Sequence, residues 1–195
     1  MDKEDNIFVD YQKRLCDCLS SFDWSPVRKL AEDIRLAWDE ERHVFLCGNG
    51  GSAANAIHIA NDLLYPVTKN TKRGIGVKVT ALTANQSILT CLGNDIGYEN
   101  IFSFQLETLG KEGDILIVLS GSGNSPNILN AVHAAKKKGI KTYGILGFNG
   151  GRCLEFLDVP VHFAVNDMQI LEDLQLIAGH MLMQWLIKGQ IPGKS

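Results

Sequence analysis

From residue 43 onwards, short apolar runs alternate with amphipathic segments, and this alternation constrains the fold more than any other feature of the chain. Five of the runs have the length and the β-branched content of buried strands. Strands that alternate with helices form βαβ units, in which helices cover a parallel sheet. The sequence therefore predicts one α/β domain over residues 43–195, with a five-stranded parallel sheet. The predicted strands are His43–Cys47, Gly76–Leu82, Ile115–Ser120, Lys141–Gly147 and Val159–Ala164.

Residues 1–42 carry helical periodicity and no strand signal. Apolar residues recur every three or four positions between Phe8 and Leu19, and again between Val27 and Trp38. This spacing predicts two amphipathic helices joined by a short turn. We expect an N-terminal helical hairpin that precedes the main domain and packs in an oligomer interface.

The composition of the chain excludes several classes of protein. The net charge of −3 argues against a nucleic-acid groove, which needs a basic excess. No stretch approaches the ~18–20 consecutive apolar residues of a membrane span, and the acidic N-terminus lacks the apolar segment of a secretion signal. The five cysteines are an odd number without the spacing of a zinc knuckle. We expect a cytoplasmic protein with reduced thiols and no nucleic-acid or membrane partner.

The first predicted strand ends in a turn with the sequence CGNGGS at residues 47–52. Its three glycines allow backbone conformations with positive φ and a close approach to a ligand. Ser52 is predicted to cap the following helix. A glycine-rich turn that leads into a helix N-terminus offers free N–H donors and a positive dipole end, both of which suit an anion.

The third predicted strand ends in a second turn of this kind, SGSGNSP at residues 120–126. Ser125 and Pro126 are typical of the N-cap and first residue of a helix. The hydroxyls of Ser120, Ser122 and Ser125 can each donate to a phosphate oxygen, and none of them is charged.

Neither turn has the lysine that ends a Walker loop, and neither has the glycine spacing of a dinucleotide site. Each turn could be an ordinary tight turn with a capping serine. Two such turns at the carboxyl ends of parallel strands, where open α/β sheets bind ligands, favour a phosphate site instead.

Four segments of the chain together resemble the SIS (sugar isomerase) domain family. They are Cys47–Ser52 with His58 on the following helix, Cys91–Asp95 ahead of Gly97 and Tyr98, Ser120–Ser125, and Glu172–His180 on the last helix. The resemblance covers nearly the whole chain and is strongest to the isomerases of seven-carbon sugar phosphates. It implies a flavodoxin-like sheet, a phosphosugar-binding domain over residues 43–195, and a homotetramer.

The same resemblance implies an aldose–ketose isomerase. The implied reaction converts sedoheptulose 7-phosphate, or a close relative, to a heptose 7-phosphate through an enediol. The substrate-binding residues implied by the resemblance are Asn49, Gly50, Gly51, Ser52, Asn94, Asp95, Ser120, Gly121, Ser122 and Ser125.

In these isomerases a zinc ion is held by a His and a Glu from the first helix of the domain and a Gln and a His from the last. The corresponding residues here are His58, Asp62, Glu172 and His180, so that Asp62 and Glu172 depart from the family pattern. The resemblance assigns Asp62 as the base and His180 as the acid. Glu172 is either an alternative base or a source of charge for the metal.

Residue spacing alone does not decide whether these four residues form a metal centre. His58 and Asp62 are four positions apart and share one helix face, a spacing that by itself is more typical of a solvated His–Asp pair than of a metal site. Glu172 and His180 are eight positions apart, or about 12 Å along a helix axis, too far for simple side-by-side ligation. Either the helix bends at its start, or ligands are shared between subunits.

A second hypothesis is a non-catalytic member of the same family, which binds a phosphosugar or acts as an assembly factor for another protein. The two histidines with two carboxylates between them favour an enzyme, because a scaffold has no need of that set. The altered acid at position 62 favours the scaffold.

Overall fold

The computed structural model describes residues 5–69, 71 and 73–188, and its centre is a single five-stranded sheet. All four strand pairs are parallel, in the order β2-β1-β3-β4-β5. This is the doubly wound order of flavodoxin-like proteins, as predicted. The strands are β1 Val44–Gly48, β2 Val79–Ala81, β3 Ile115–Ser120, β4 Lys141–Leu146 and β5 Val159–His162.

The second predicted strand is shorter than expected. β2 is an edge strand, and it pairs with β1 through only three residues. The preceding residues instead pass against the end of the third helix, where the N–H of Val77 donates to the carbonyl of Leu63 at 2.9 Å. A Cβ on Gly76 would lie 1.7 Å from the carbonyl oxygen of Leu64, so this close passage requires a glycine.

Eight α-helices are present within the described residues. They are α1 Asp5–Ser21, α2 Ser25–Asp39, α3 Gly51–Leu64, α4 Gln86–Asp95, α5 Ser103–Leu109, α6 Pro126–Lys137, α7 Cys153–Phe156 and α8 Met168–Lys188. Short 3-10 turns lie at Pro66–Thr68 and Tyr98–Asn100. None of the described helices is long and apolar enough to cross a membrane.

The sheet separates two hydrophobic cores. Because side chains alternate along a strand, Leu46 of β1 packs with α2, α3 and α8, whereas Phe45 packs with α5 and α6 on the other face. The predicted N-terminal hairpin is formed by α1 and α2. Leu30 and Ile34 of α2 are buried in the same core as the sheet and α8. The ends of the predicted segments, residues 1–4 and 189–195, lie outside the described residues.

Candidate active site

A cavity of about 270 Å³ lies at the carboxyl ends of the neighbouring strands β1 and β3. Three helices begin at its rim: α3 at Gly51, α6 at Pro126 and α8 at Met168. The dipoles of the three helices favour an anion in the cavity. In α8 the amides of Gln169 and Ile170 already donate to Oδ1 of Asp167, at 3.0 and 3.1 Å, so amide donors for an anion come from α3 and α6. The residues that line it are Asn49, Gly50, Gly51, Ser52, Leu119, Ser120, Gly121, Ser122, Ser125, Met168 and Glu172. Eight of the ten predicted substrate-binding residues are among them.

The turn between β1 and α3 needs its glycines for two physical reasons. Gly50 adopts a φ of 57° as the N-cap of α3. A Cβ on Gly48 would lie 2.6 Å from the backbone oxygen of Ser52. The predicted cap position was wrong, since Ser52 is the second residue of the helix and makes no capping bond. Its hydroxyl oxygen instead accepts a hydrogen bond from Nε2 of Gln175 at 3.1 Å.

The turn between β3 and α6 presents serine hydroxyls whose oxygens already accept bonds from the turn itself. The Oγ of Ser120 accepts from the N–H of Gly123 at 3.1 Å, and the Oγ of Ser122 accepts from the N–H of Asn124 at 3.2 Å. Ser125 occupies the N-cap of α6 but makes no side-chain capping bond. Capping therefore does not explain Ser125, and the hydrogens of Ser120 and Ser122 are free to donate to a ligand.

A reciprocal amide pair joins the two turns. The Nδ2 of Asn49 donates to Oδ1 of Asn127 at 2.9 Å, and the Nδ2 of Asn127 donates back to Oδ1 of Asn49 at 2.8 Å. The hydroxyl of Tyr98 also donates to Oδ1 of Asn49 at 3.0 Å. The side chain of Asn49 therefore joins the two turns that line the cavity. Asn127 is buried, and the sequence did not single it out.

Two predicted substrate-binding residues lie elsewhere. Asn94 and Asp95 end α4, are exposed, and pair with each other through a hydrogen bond of 2.8 Å from Nδ2 to Oδ1. Neither is among the residues that line the cavity. A role for them in substrate binding stays a prediction.

Cys47, the last residue before the first glycine of the turn, is not placed to act as a nucleophile. Its side chain is completely buried, and burial raises the pKa of its thiol far above the usual value. The neighbouring thiol of Cys153 raises it further. Only a thiolate attacks efficiently, so the chemistry must come from other side chains.

Beyond the cavity, α3 and α8 bring two histidines and a carboxylate together. Nε2 of His58 lies 3.0 Å from Nε2 of His180. Oδ2 of Asp62 lies 3.5 Å from Nε2 of His58 and 3.6 Å from Nε2 of His180. The two imidazoles are 48% exposed and the carboxylate is 13% exposed, so the cluster opens towards solvent on the imidazole side.

The geometry of this cluster fits a metal ion. Ligands at Zn–N and Zn–O distances of about 2.0–2.2 Å around a tetrahedral ion lie about 3.3–3.5 Å apart. The three separations in the cluster are 3.0, 3.5 and 3.6 Å, and imidazole nitrogen and carboxylate oxygen are suitable zinc donors. Three of the four predicted ligands can therefore surround one ion, with a position left open.

The structure does not bring Glu172 into this cluster. A Cβ on Gly51 would lie 2.3 Å from Oε1 of Glu172, which places the carboxylate against the first turn of α3 and beside the serine cavity. His180 lies two turns further along α8, as the spacing of eight residues predicted. Glu172 remains a predicted ligand and base, but it occupies the other end of the site.

A glycine positions the cluster. A Cβ on Gly179 would lie 2.7 Å from Cγ1 of Ile59, so the absence of a side chain lets α3 and α8 approach closely beside His58 and His180. Sequence reasoning missed Gly179, although a glycine within a long apolar helix is the signal of such a contact.

Fold and site together define the class of protein. The sequence profile described as the SIS domain matches residues 7–147. The phosphoheptose isomerase of Clostridium acetobutylicum is 40% identical over 156 residues, which is 80% of this chain and 78% of that protein. That of Burkholderia pseudomallei is 41% identical over 168 residues, or 86% of this chain and 83% of that protein. The chain belongs to the phosphoheptose isomerase family of SIS-domain proteins.

Solved structures agree with this assignment. The phosphoheptose isomerase of Neisseria gonorrhoeae superposes with a TM-score of 0.85 at 27% identity, covering 95% of this chain and 97% of that one. That of Francisella tularensis superposes with a TM-score of 0.87 at 25% identity, covering 96% and 100%. The similarity therefore includes the N-terminal helices and α8.

Proposed function

We propose that this protein isomerises sedoheptulose 7-phosphate to a heptose 7-phosphate through an enediol. The observation that carries the proposal is that α3 and α8, whose first turns line the serine cavity, also hold the His–Asp–His cluster further along their length. Proteins that are about 40% identical over most of this chain carry the name phosphoheptose isomerase. An enzyme is favoured over an assembly factor because the complete histidine pair and its carboxylate are present.

The serine cavity is suited to the phosphate end of the substrate. The N-termini of α3 and α6 and the hydroxyls of Ser52, Ser120, Ser122 and Ser125 converge on it. A phosphate ester accepts several hydrogen bonds through three terminal oxygens, so a set of neutral donors is matched to it. Because Glu172 adds a negative charge at one side, we infer that its carboxylate faces the sugar rather than the phosphate.

The separation of the two parts of the site suits a seven-carbon chain. Glu172 lies beside the cavity, and His180 follows it by eight residues, about 12 Å along α8. A heptose chain held extended places its C1–C2 end about 10 Å from the phosphorus, judged from the reach of an extended chain. The reacting carbons would then lie near the cluster of His58, Asp62 and His180.

Isomerisation moves two protons between neighbouring carbons and oxygens. A base takes a proton from C1 of the ketose, and the C2 oxygen gains a proton, which gives the enediol. The O1 hydroxyl then loses its proton, and C2 gains one, which gives the aldose. We assign the base to Asp62, or to Glu172 as the alternative, and the acid to His180, because carboxylates and imidazoles transfer protons well near neutral pH.

His58, Asp62 and His180 would hold a divalent cation, for which zinc is our first choice, and Glu172 would reach it only by moving away from Gly51. When bound, such an ion polarises a carbonyl and stabilises the developing negative charge on oxygen. The protein's own residues would align the sugar with this ion. Asp95 and Asn94 remain candidates for contacts with sugar hydroxyls.

We further propose that the protein is a cytoplasmic homo-oligomer. The N-terminal helix exposes Ile7, Phe8 and Val9, the last helix exposes Met181, and a second copy would cover these residues. All five cysteines are free, which suits a reducing compartment. Light scattering of the purified protein would distinguish a tetramer from a monomer.

The test of the function is turnover of sedoheptulose 7-phosphate, followed by NMR with and without added zinc. We expect a heptose 7-phosphate as product, and zinc in the purified protein by elemental analysis. Replacing Ser122 and Ser125 with Ala should raise KM, whereas Ser20→Ala, an exposed change in α1, should leave it unchanged. Absence of turnover together with absence of bound metal would contradict the proposal and favour a binding protein.

A further inference from the structure

Gln175 is a polar residue in the middle of the buried face of α8. Its side chain is completely inaccessible, and its neighbours on this face include Leu171, Leu174 and Ala178. Burying an amide without partners costs several kcal/mol, so such a residue persists only when its hydrogen bonds are made. Both ends of the Gln175 amide are bonded, and both partners belong to the first two turns of α3.

A backbone carbonyl fixes the direction of every hydrogen bond in this network. The carbonyl oxygen of Glu172 can only accept, so the group of Asn55 that lies 3.0 Å from it must be the amino group. The same amino group donates to Oε1 of Gln175 at 3.0 Å. The opposite end of Gln175 is therefore its own amino group, and it donates to Oγ of Ser52 at 3.1 Å.

The hydroxyl of Ser52 is thus held as an acceptor on its buried side. A serine within a helix often donates its hydrogen to the carbonyl one turn earlier, which would remove that hydrogen from a ligand. No bond of this kind is present for Ser52 within the described residues, and Ser52 lines the serine cavity. Its hydrogen is free to point into the cavity.

We propose that Gln175, held by Asn55, is a positioning residue that commits the Ser52 hydroxyl to donate to the phosphate group. This inference rests on the proposed function, in which the serine cavity holds the phosphate. Gln175 does not touch the substrate. It acts by setting the direction of one hydroxyl before the ligand arrives, so that binding does not have to reorient it.

The test is a double-mutant cycle between Gln175 and Ser52, with the dissociation constant for sedoheptulose 7-phosphate measured by calorimetry. Gln175→Met keeps the volume and adds no charge but removes the donor. Loss of a hydrogen bond to a charged group predicts about a 30-fold weaker affinity for Ser52→Ala and about a tenfold weaker affinity for Gln175→Met. In the Ser52→Ala background, Gln175→Met should change the affinity by less than about twofold, because the hydroxyl through which it acts is gone.

Kinetics add a second readout. Because the phosphate is bound equally in ground and transition states, Gln175→Met should raise KM and leave kcat nearly unchanged. Gln175→Glu places an acceptor against Ser52, draws its hydrogen away from the cavity, and should weaken binding more than the Met variant. Gln105→Met is the matched control, since Gln105 is also a buried amide with two bonds but lies on the other face of the sheet. It should leave the affinity unchanged.

The possible failures are distinguishable. If Ser52→Ala binds the sugar phosphate as tightly as the unchanged protein, the Ser52 hydroxyl does not contact the phosphate and this inference is wrong. The proposed function of the cavity is wrong as well only if the Ser122→Ala and Ser125→Ala variants also bind unchanged. If Ser52→Ala weakens binding but Gln175→Met does not, only the inference is wrong. An equal loss for Gln175→Met in both backgrounds would assign Gln175 a packing role and would also overturn the inference.

Discussion

Glu172 presents an electrostatic conflict at the scale of single residues. Its carboxylate lies beside the cavity that the serine turns form, and it rests where a side chain at Gly51 would otherwise be. A phosphate dianion in the cavity would be repelled by it, since unit charges about 4 Å apart interact by about 1 kcal/mol at the high dielectric of a cavity open to water. The resemblance to the family implies a neutral Gln at this position, so Glu172 is an added negative charge beside the cavity of this chain.

We therefore predict that Glu172→Gln binds inorganic phosphate about fivefold more tightly at low salt, with a smaller gain at high salt because of screening. The measurement is calorimetric titration of protein treated with a chelator, so that no metal contributes. Glu155→Gln in α7 removes the same charge at an exposed position that does not line the cavity, and should bind as the unchanged protein does. Equal or weaker affinity for Glu172→Gln would show that the carboxylate does not repel an anion in the cavity.

Among the residues that the structure describes, Asp62 supplies the one carboxylate of the histidine cluster. We predict that Asp62→Asn lowers the affinity for zinc by at least about tenfold, because the amide is a poor ligand and brings no charge. Asp62→Glu, which restores the residue usual in the family, should recover most of the loss. Competition with a chromophoric chelator measures the zinc affinity of both variants. Asp17→Asn on α1 is the control, and a zinc affinity that is insensitive to Asp62 would exclude this residue as a ligand.

At the scale of elements, the sequence predicted the order and type of the strands because strand and helix periodicities are local. Ile115–Ser120 matches β3 without correction, and Lys141–Gly147 exceeds β4 by one residue. The prediction for β2 was wrong in length because Gly76 contacts the end of α3, a long-range contact that leaves no local signal. The bonds of Asn127 and Gln175 were missed for the same reason, since they depend on which helices become neighbours.

The contact between α3 and α8 depends on Gly179, and we predict that Gly179→Ala separates the histidine pair. The added Cβ would lie 2.7 Å from Cγ1 of Ile59. Overpacking of this kind costs about 1–3 kcal/mol of unfolding free energy, and a shift of about 1 Å is enough to spoil a metal site. Denaturant unfolding and zinc titration measure the two effects.

The compensating variant Ile59→Val keeps the helix surface apolar and removes one methyl group from the contact. Combined with Gly179→Ala it should recover part of the stability and of the zinc affinity. If Gly179→Ala alone leaves zinc affinity unchanged while lowering stability, the close packing of α3 and α8 does not position the cluster.

At the scale of the whole molecule, the candidate site and a charged cluster that stabilises the fold lie at opposite ends of the sheet. The candidate site is at the carboxyl ends of β1 and β3. At the amino end of β4, Asp33 of α2 binds Lys141 through a contact of 2.5 Å and also accepts from the hydroxyl of Tyr143. Lys29 contacts the same carboxylate at 2.5 Å. These contacts join α2 to the end of the sheet opposite the cavity.

The charge of Asp33 makes the free energy of unfolding depend on pH. Partial burial raises the pKa of Asp33, but hydrogen bonds from Lys141, Lys29 and Tyr143 outweigh it, and the net pKa is lowered. A carboxyl group whose pKa is lower in the folded than in the unfolded state stabilises the fold above its unfolded pKa of about 3.9. That stabilisation is lost as the pH falls through the folded value.

We predict that Asp33→Asn lowers the free energy of unfolding at pH 7 by about 2 kcal/mol, less than for a fully buried pair because both lysines are partly exposed. The difference from the unchanged protein should begin to shrink below about pH 4, where the unfolded chain takes up a proton at Asp33, and should be lost once the folded protein is protonated there as well. Urea unfolding at a series of pH values measures it. Asp10→Asn, which breaks an exposed pair with Arg14, should cost no more than about 0.5 kcal/mol and serves as the control. A constant difference for Asp33→Asn from pH 7 to pH 3 would mean that packing, rather than the charge of the carboxylate, holds α2 to the sheet.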